Sequence, residues 1–139
     1  MKIPARIRYA VRILLELGKN RQEPLPLHLI EKSQQVSSKF AKQILQPLER
    51  AGLVEGRRGR GGGYFLQVAP EKVTLMDIFQ AMGEKIHPAP CLETEGLCPR
   101  EDYCGAKDIW GALEKILAAY FRQTTIRDLI NREKTVVRE

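Results

Sequence analysis

The sequence predicts a mainly α-helical chain with one small β-hairpin, and three observations carry that prediction. Apolar residues recur at helical spacing in several runs. A glycine- and arginine-rich run, Gly56-Arg57-Arg58-Gly59-Arg60-Gly61-Gly62-Gly63, separates two short segments of strand-like composition. All three cysteines sit in one stretch, 83–104, that shows no periodicity.

The first helix is set by Ile7, Val11, Leu14 and Leu15 over 6–17, with Gly18 as its stop. A loop containing Pro24 and Pro26 leads to a short helix over 27–32. Ser37 is a good N-cap for a helix reaching Ala51, whose apolar positions are Phe40, Ala41, Ile44, Leu45 and Leu48. Pro47 lacks a backbone donor, and is expected to bend that helix or loosen its last turns before Gly52 ends it. Strands are expected over 53–55 and 64–68, and Thr74 is expected to cap a helix over 75–82. Helix, short helix, helix and hairpin is the order of a winged helix-turn-helix.

Beyond the irregular stretch, Ile109, Leu113, Ile116, Leu117 and Tyr120 define an amphipathic helix that Trp110 and Phe121 widen. So broad an apolar face suits packing on a second copy. A short helix over 125–132 precedes a polar tail. The fold class is thus mainly α with a small β-hairpin wing: a winged helix-turn-helix domain over 1–82 followed, after a cysteine-bearing loop over 83–104, by long dimerisation helices over 105–132. A flexible tail over 133–139 completes the expected organisation.

Composition narrows the function. Hydrophobic residues make up 43% and charged residues 29% of the 139, as in a globular protein, and no run is long enough for a membrane span. The start of the chain does not resemble a signal peptide, so a cytoplasmic location is expected. Residues 1–70 carry 13 Lys plus Arg against 5 Glu, a balance of +8, while residues 71–139 carry 10 against 12 acidic groups, a balance of −2. A basic half followed by a near-neutral half fits a nucleic-acid-binding module joined to something else. No Ser/His/Asp constellation supports catalysis or a small-molecule substrate, so an enzyme is not expected.

In a helix-turn-helix the early residues of the second helix face base edges in the major groove. Here those are Ser37, Ser38, Lys39, Phe40, Lys42 and Gln43. Gln43 suits a bidentate bond to adenine, and Lys39 or Lys42 a guanine or a phosphate. Phe40 fits either a thymine methyl group or the core. On the hairpin, Arg57, Arg58 and Arg60 offer guanidinium groups to phosphates or to a narrow minor groove. A phosphate loop of the Walker type is excluded, because the Gly-Lys-Ser/Thr ending is missing. Double-stranded promoter DNA is therefore the expected partner.

Cys91, Cys98 and Cys104 are spaced C-x6-C-x5-C. An odd count argues against a closed disulfide framework, and no Cys-x2-Cys pair marks a zinc site. Three alternatives stay open, in this order: an iron–sulfur cluster, a metal-free thiol switch and zinc.

These residues together resemble the IscR/NsrR family of winged-helix iron–sulfur regulators. The resemblance runs through Arg8-Tyr9-Ala10-Val11, Leu48-Glu49-Arg50-Ala51-Gly52-Leu53-Val54 and Arg58-Gly59-Arg60-Gly61-Gly62-Gly63-Tyr64. It continues through Ile78-Phe79-Gln80-Ala81-Met82, the three cysteines, Trp110 and Thr125-Ile126-Arg127-Asp128-Leu129. It implies a homodimer on a pseudo-palindromic site, with the 109–121 helices crossing at the interface and residues 38–43 reading the major groove. It also implies that Arg58 enters the minor groove, and that Cys91, Cys98 and Cys104 hold a 2Fe–2S or 4Fe–4S cluster whose gain, oxidation or loss reorients the two reading heads.

Two positions depart from the family pattern. Members with a 2Fe–2S cluster place a histidine where this chain has Lys107. Members with a 4Fe–4S cluster can draw an aspartate from the partner's first helix, where this chain has Arg8. His87, His28, Glu93, Glu95, Glu101, Asp102 or an exogenous group are the substitutes on offer. The first two cysteines are also one residue further apart than is usual in the family. A cluster-free regulator controlled by thiols or by a partner protein is the alternative reading.

Overall fold

Helix α1 (Ala5–Lys19) lays Ile7, Ala10, Ile13, Leu14 and Leu17 into the centre of the molecule, and the other elements assemble around that stripe. The computed structural model describes residues 1–20 and 22–136, the last three through their backbone alone. Helix α2 (Leu27–Gln34) adds Ile30, and α3 (Ser38–Arg50) adds Ala41, Ile44, Leu45 and Leu48. Strands β1 (Val54–Arg57) and β2 (Gly63–Leu66) form an antiparallel hairpin with Val54 opposite Leu66 and Arg57 opposite Gly63. Helix α4 (Leu75–Ala81), a short α5 (Pro90–Glu93), the long α6 (Gly105–Gln123) and α7 (Ile126–Val136) complete the chain. This is a mainly helical winged-helix fold.

Three local expectations are corrected. Both strands lie one or two residues from where composition put them, because pairing is set by the tight glycine turn. Pro47 does not loosen the last turn of α3. The helix runs unbroken to Arg50 with Pro47 buried, and ends with Gly52 at φ +79° and the Leu53 N–H bonded to the Leu48 carbonyl at 3.0 Å. The core contacts of Ile44, Leu45 and Leu48 outweigh the one missing helical donor. Gly18 does not stop α1. It lies inside the helix, and a Cβ there would come 3.1 Å from Ile130 and 3.2 Å from Ile126. Its small size therefore admits α7.

Helix α7 buries Ile126 and Ile130 against α1, so the segment after α6 returns to the core built on α1. Two side-by-side capping boxes fix the return. Thr74 pairs with Asp77 at the start of α4, and Thr125 with Asp128 at the start of α7. The Leu75 N–H bonds to the Thr124 carbonyl at 3.0 Å and the Ile126 N–H to the Val73 carbonyl at 2.9 Å. The polar tail expected from 133 continues as helix through Val136, and residues 137–139 lie outside the described residues.

Candidate nucleic-acid interface and cysteine site

The outward face of α3 carries Lys39, Lys42, Gln43, Gln46 and Glu49. Between this face and the hairpin lies an open cleft of about 480 Å³, lined by Lys42, Gln46, Glu49, Arg57, Arg58 and Tyr64 among others. The fold thus brings Lys42 from α3 together with Arg57 and Arg58 from the wing. Ser37, Ser38, Lys39, Gln43 and Arg60 lie outside that lining. Ser37 caps α3, its Oγ accepting the Phe40 N–H at 3.0 Å. Phe40 is half-buried and meets the edge of Tyr9 with ring centroids 5.3 Å apart, so it packs on α1. Arg57 is partly tethered over the Phe65 ring at 4.6 Å, with the Glu55 carboxylate 3.9 Å away. Gln46 and Glu49 were missed in the sequence, although their spacing of four and seven residues from Lys42 places them on its face. Burial raises the Tyr64 phenol above its ordinary range, and the Glu49 carboxylate raises it further.

The wing is anchored by backbone. Leu25 donates to the Tyr64 carbonyl at 2.7 Å and accepts the Tyr64 N–H at 2.9 Å, an isolated antiparallel bridge on the open edge of β2. Gly63, at φ +151°, makes this approach sterically feasible, since a Cβ there would sit 2.4 Å from the Leu25 oxygen. The angle between wing and helix-turn-helix is therefore built into main-chain contacts.

Cys91 lies in α5, Cys98 in the following turn and Cys104 at the N-cap position of α6; all three are half-exposed free thiols. Three thiolates are suitable donors for iron. Among the described residues, however, no three His, Cys, Asp or Glu side chains are grouped so as to hold a metal ion. In this shape the loop is not a cluster cradle.

It is organised instead by Glu101, whose Oε2 accepts the Gly96 N–H and whose Oε1 accepts from Lys107 Nζ, each at 2.6 Å. The Lys107 hydrogen bond and the Gly96 N–H hold the Glu101 carboxyl below its ordinary range. The Glu101 bond, then the charges of Glu101, Cys91 and Glu95, raise the Lys107 ammonium against a smaller opposing effect of burial. Of the substitute ligands, His87 Nδ1 lies at hydrogen-bond distance, 2.7 Å, from the Glu114 carboxylate of α6, and His28 belongs to α2. Glu93, Glu95 and Asp102 are exposed.

Helix α6 has two apolar faces. Phe121 stacks on Phe79 at 5.0 Å, while Ile109, Leu113, Ile116 and Tyr120 form an outward stripe from 36% to 65% exposed.

With this geometry in view, the sequence profile described as Rrf2, iron-dependent transcriptional regulator, matches residues 3–132. The chain belongs to the Rrf2 family. Among its relatives, protein aau3 of Rhizobium meliloti is 37% identical over 94% of this chain and 85% of its own length. The HTH-type transcriptional regulator IscR of Serratia proteamaculans is 29% identical over 99% and 84%. CymR, the global cysteine regulator of B. subtilis, superposes with a TM-score of 0.80 at 28% identity, covering 95% of this chain and 98% of that one. An oxidized form of Staphylococcus aureus CymR superposes with a TM-score of 0.76 at 26% identity, covering 94% and 96%. This Rrf2 protein is accordingly a DNA-binding transcriptional regulator and not an enzyme. None of its described helices is long and apolar enough to cross a membrane.

Proposed function

We propose that this Rrf2 protein is a homodimeric cytoplasmic regulator that grips promoter DNA between α3 and the wing and reports the state of its three cysteines to that DNA. The observation that carries the reading is the basic cleft in which Lys42, Arg57 and Arg58 converge beside the exposed face of α3. Ser38, Lys39, Lys42 and Gln43 read the major groove, Ser37 holds the helix start beside the phosphates, and Arg58 enters the minor groove. Arg57 and Arg60 contact phosphate. Residues 1–82 form the reading unit, and the outward stripe of α6 pairs with its copy. Four apolar side chains in one exposed line are otherwise left in water.

Fluorescence anisotropy with labelled promoter fragments at two salt concentrations tests the DNA reading. Arg58→Ala is expected to weaken binding and lower the salt slope, and Gln43→Ala to relax specificity at one base pair by about 1–3 kcal/mol. Unchanged binding by Arg58→Ala overturns the wing assignment. Sedimentation of Ile116→Asp is expected to yield a monomer.

The sensing atoms are Cys91, Cys98 and Cys104. Their donor chemistry and the iron dependence described for the family support an iron–sulfur cluster, 2Fe–2S or 4Fe–4S, as the sensor of iron, redox state or nitric oxide. The ungathered thiols and the oxidized state of a solved relative favour the second reading, a thiol switch. Anaerobic purification with iron and sulfide counts separates the two. A coloured dimer whose DNA affinity changes on cluster removal supports the first, and a colourless one that binds DNA supports the second. If a variant with all three cysteines changed to Ala answers these signals as the unaltered protein does, neither sensor reading survives.

A further inference from the structure

We propose that Glu49 sets the affinity of the DNA cleft from the negative side: its carboxylate repels the phosphate that Lys42, Arg57 and Arg58 attract. This role rests on the reading of that cleft as the DNA-binding site.

Four charged side chains line the cleft, the cations Lys42, Arg57 and Arg58 and the anion Glu49. Glu49 is exposed and follows Lys42 by seven residues, two turns further along the outward face of α3. Its carboxylate reaches the wing. A Cβ on Gly56 of β1 would come 3.3 Å from Glu49 Oε2 and 3.0 Å from Tyr64 Cε1, so the bare glycine leaves room for both. The charge is felt across that seam, where burial first and Glu49 second raise the Tyr64 phenol. Among the described residues no ion pair joins Glu49 to Lys42, Arg57 or Arg58, and the carboxylate beside Arg57 is that of Glu55, at 3.9 Å. Glu49 is thus an anion without a direct cationic partner, set among phosphate-binding cations. A cleft of about 480 Å³ is roughly 10 Å across, about one Debye length at 0.1 M salt, so a phosphate seated in it lies within range of the carboxylate. A carboxylate can only accept hydrogen bonds and a phosphodiester has none to give, so repulsion is what remains between them. Phosphate is the same at every base pair. The repulsion therefore lowers affinity for all sequences alike and leaves preference to the base-facing residues of α3.

The test is fluorescence anisotropy of the full-length protein with a labelled promoter fragment and a scrambled fragment of equal length, each at two salt concentrations. Glu49→Gln keeps the size of this exposed side chain and removes its charge. It is expected to bind both fragments about three- to tenfold more tightly and with a steeper salt dependence, the mirror image of Arg58→Ala. Glu49→Asp keeps the charge and draws it back by one methylene, so its gain should be smaller. Asp108→Asn makes the same change of net charge at an exposed position of α6 outside the cleft, and is expected to shift affinity by less than about twofold. Equal or weaker binding by Glu49→Gln on either fragment overturns the proposal, and a gain confined to one fragment would mark a base contact instead. An equal gain in Asp108→Asn overturns it too, since net charge alone would then account for the effect. Failure of the cleft reading itself shows differently, as unchanged binding by both Arg57→Ala and Arg58→Ala.

Discussion

From Ile7 to Met82 every helix and strand places at least one side chain in a common apolar core, whereas no residue from 83 to 104 is buried. The reading head is held by close packing and by main-chain pairing, as at Leu25–Tyr64. The cysteine loop is held by a few side-chain hydrogen bonds, from Glu101 to Gly96 and Lys107 and from His87 to Glu114. Packing resists small perturbations because each removed atom leaves a void. Polar tethers between half-exposed groups are individually weak and respond to charge, pH and ligands. A close-packed reader joined to a segment with no buried residue is a sound division of labour for a regulator.

Core truncation breaks this comparison most directly. Ile44→Ala is expected to cost about 2–5 kcal/mol in urea unfolding, against about 0.5 kcal/mol or less for Cys98→Ala. Comparable losses at the two sites would mean that the loop is part of the cooperative core.

Backbone anchoring of the wing comes next. Gly63→Ala puts a methyl group against the Leu25 carbonyl, and is expected to cost about 2–3 kcal/mol of stability and to weaken promoter binding more than Arg58→Ala does. Retained affinity in Gly63→Ala would show that the wing angle is set elsewhere.

The Glu101–Lys107 pair should answer to pH. Glu101 is depressed below its ordinary value of 4.5, so its contribution is complete above that value and is lost as pH falls through the lower folded one. Lys107 is raised above 10.5, so its contribution is complete below that value and is lost only at still higher pH. The Gly96 amide resonance should therefore stay constant from neutral pH down to about 5 and move only below the ordinary carboxylate range. In Lys107→Met that inflection should shift upward. An unchanged inflection would remove the pair from the account.

The smallest effect is expected at Gln35, which closes α2 in the left-handed region at φ 55°. Gln35→Gly relieves strain of about 1 kcal/mol, less the entropy that glycine loses on folding, for a net gain of a few tenths. Thermal unfolding of the two proteins measures it.

Much of this was legible in the sequence because it follows from local chemistry. Ser37 caps α3, Thr74 caps α4, and Gly52 ends α3 because a capping hydroxyl or a residue free to take positive φ acts on its own neighbours. The basic hairpin, the cysteine spacing and the apolar stripe of α6 were equally visible, being properties of consecutive residues. Long-range contacts decided the rest. Gly18 has the composition of a helix stop, yet it is a packing notch for Ile126 and Ile130, more than a hundred residues away. Leu25 reads as loop and forms a β-bridge because Tyr64 arrives beside it. Gln46 and Glu49 join the reading surface because the wing folds over that end of α3. Sequence alone also located the three thiols in one loop, but that Glu101 reaches both Gly96 and Lys107 within it is set only by the folded chain.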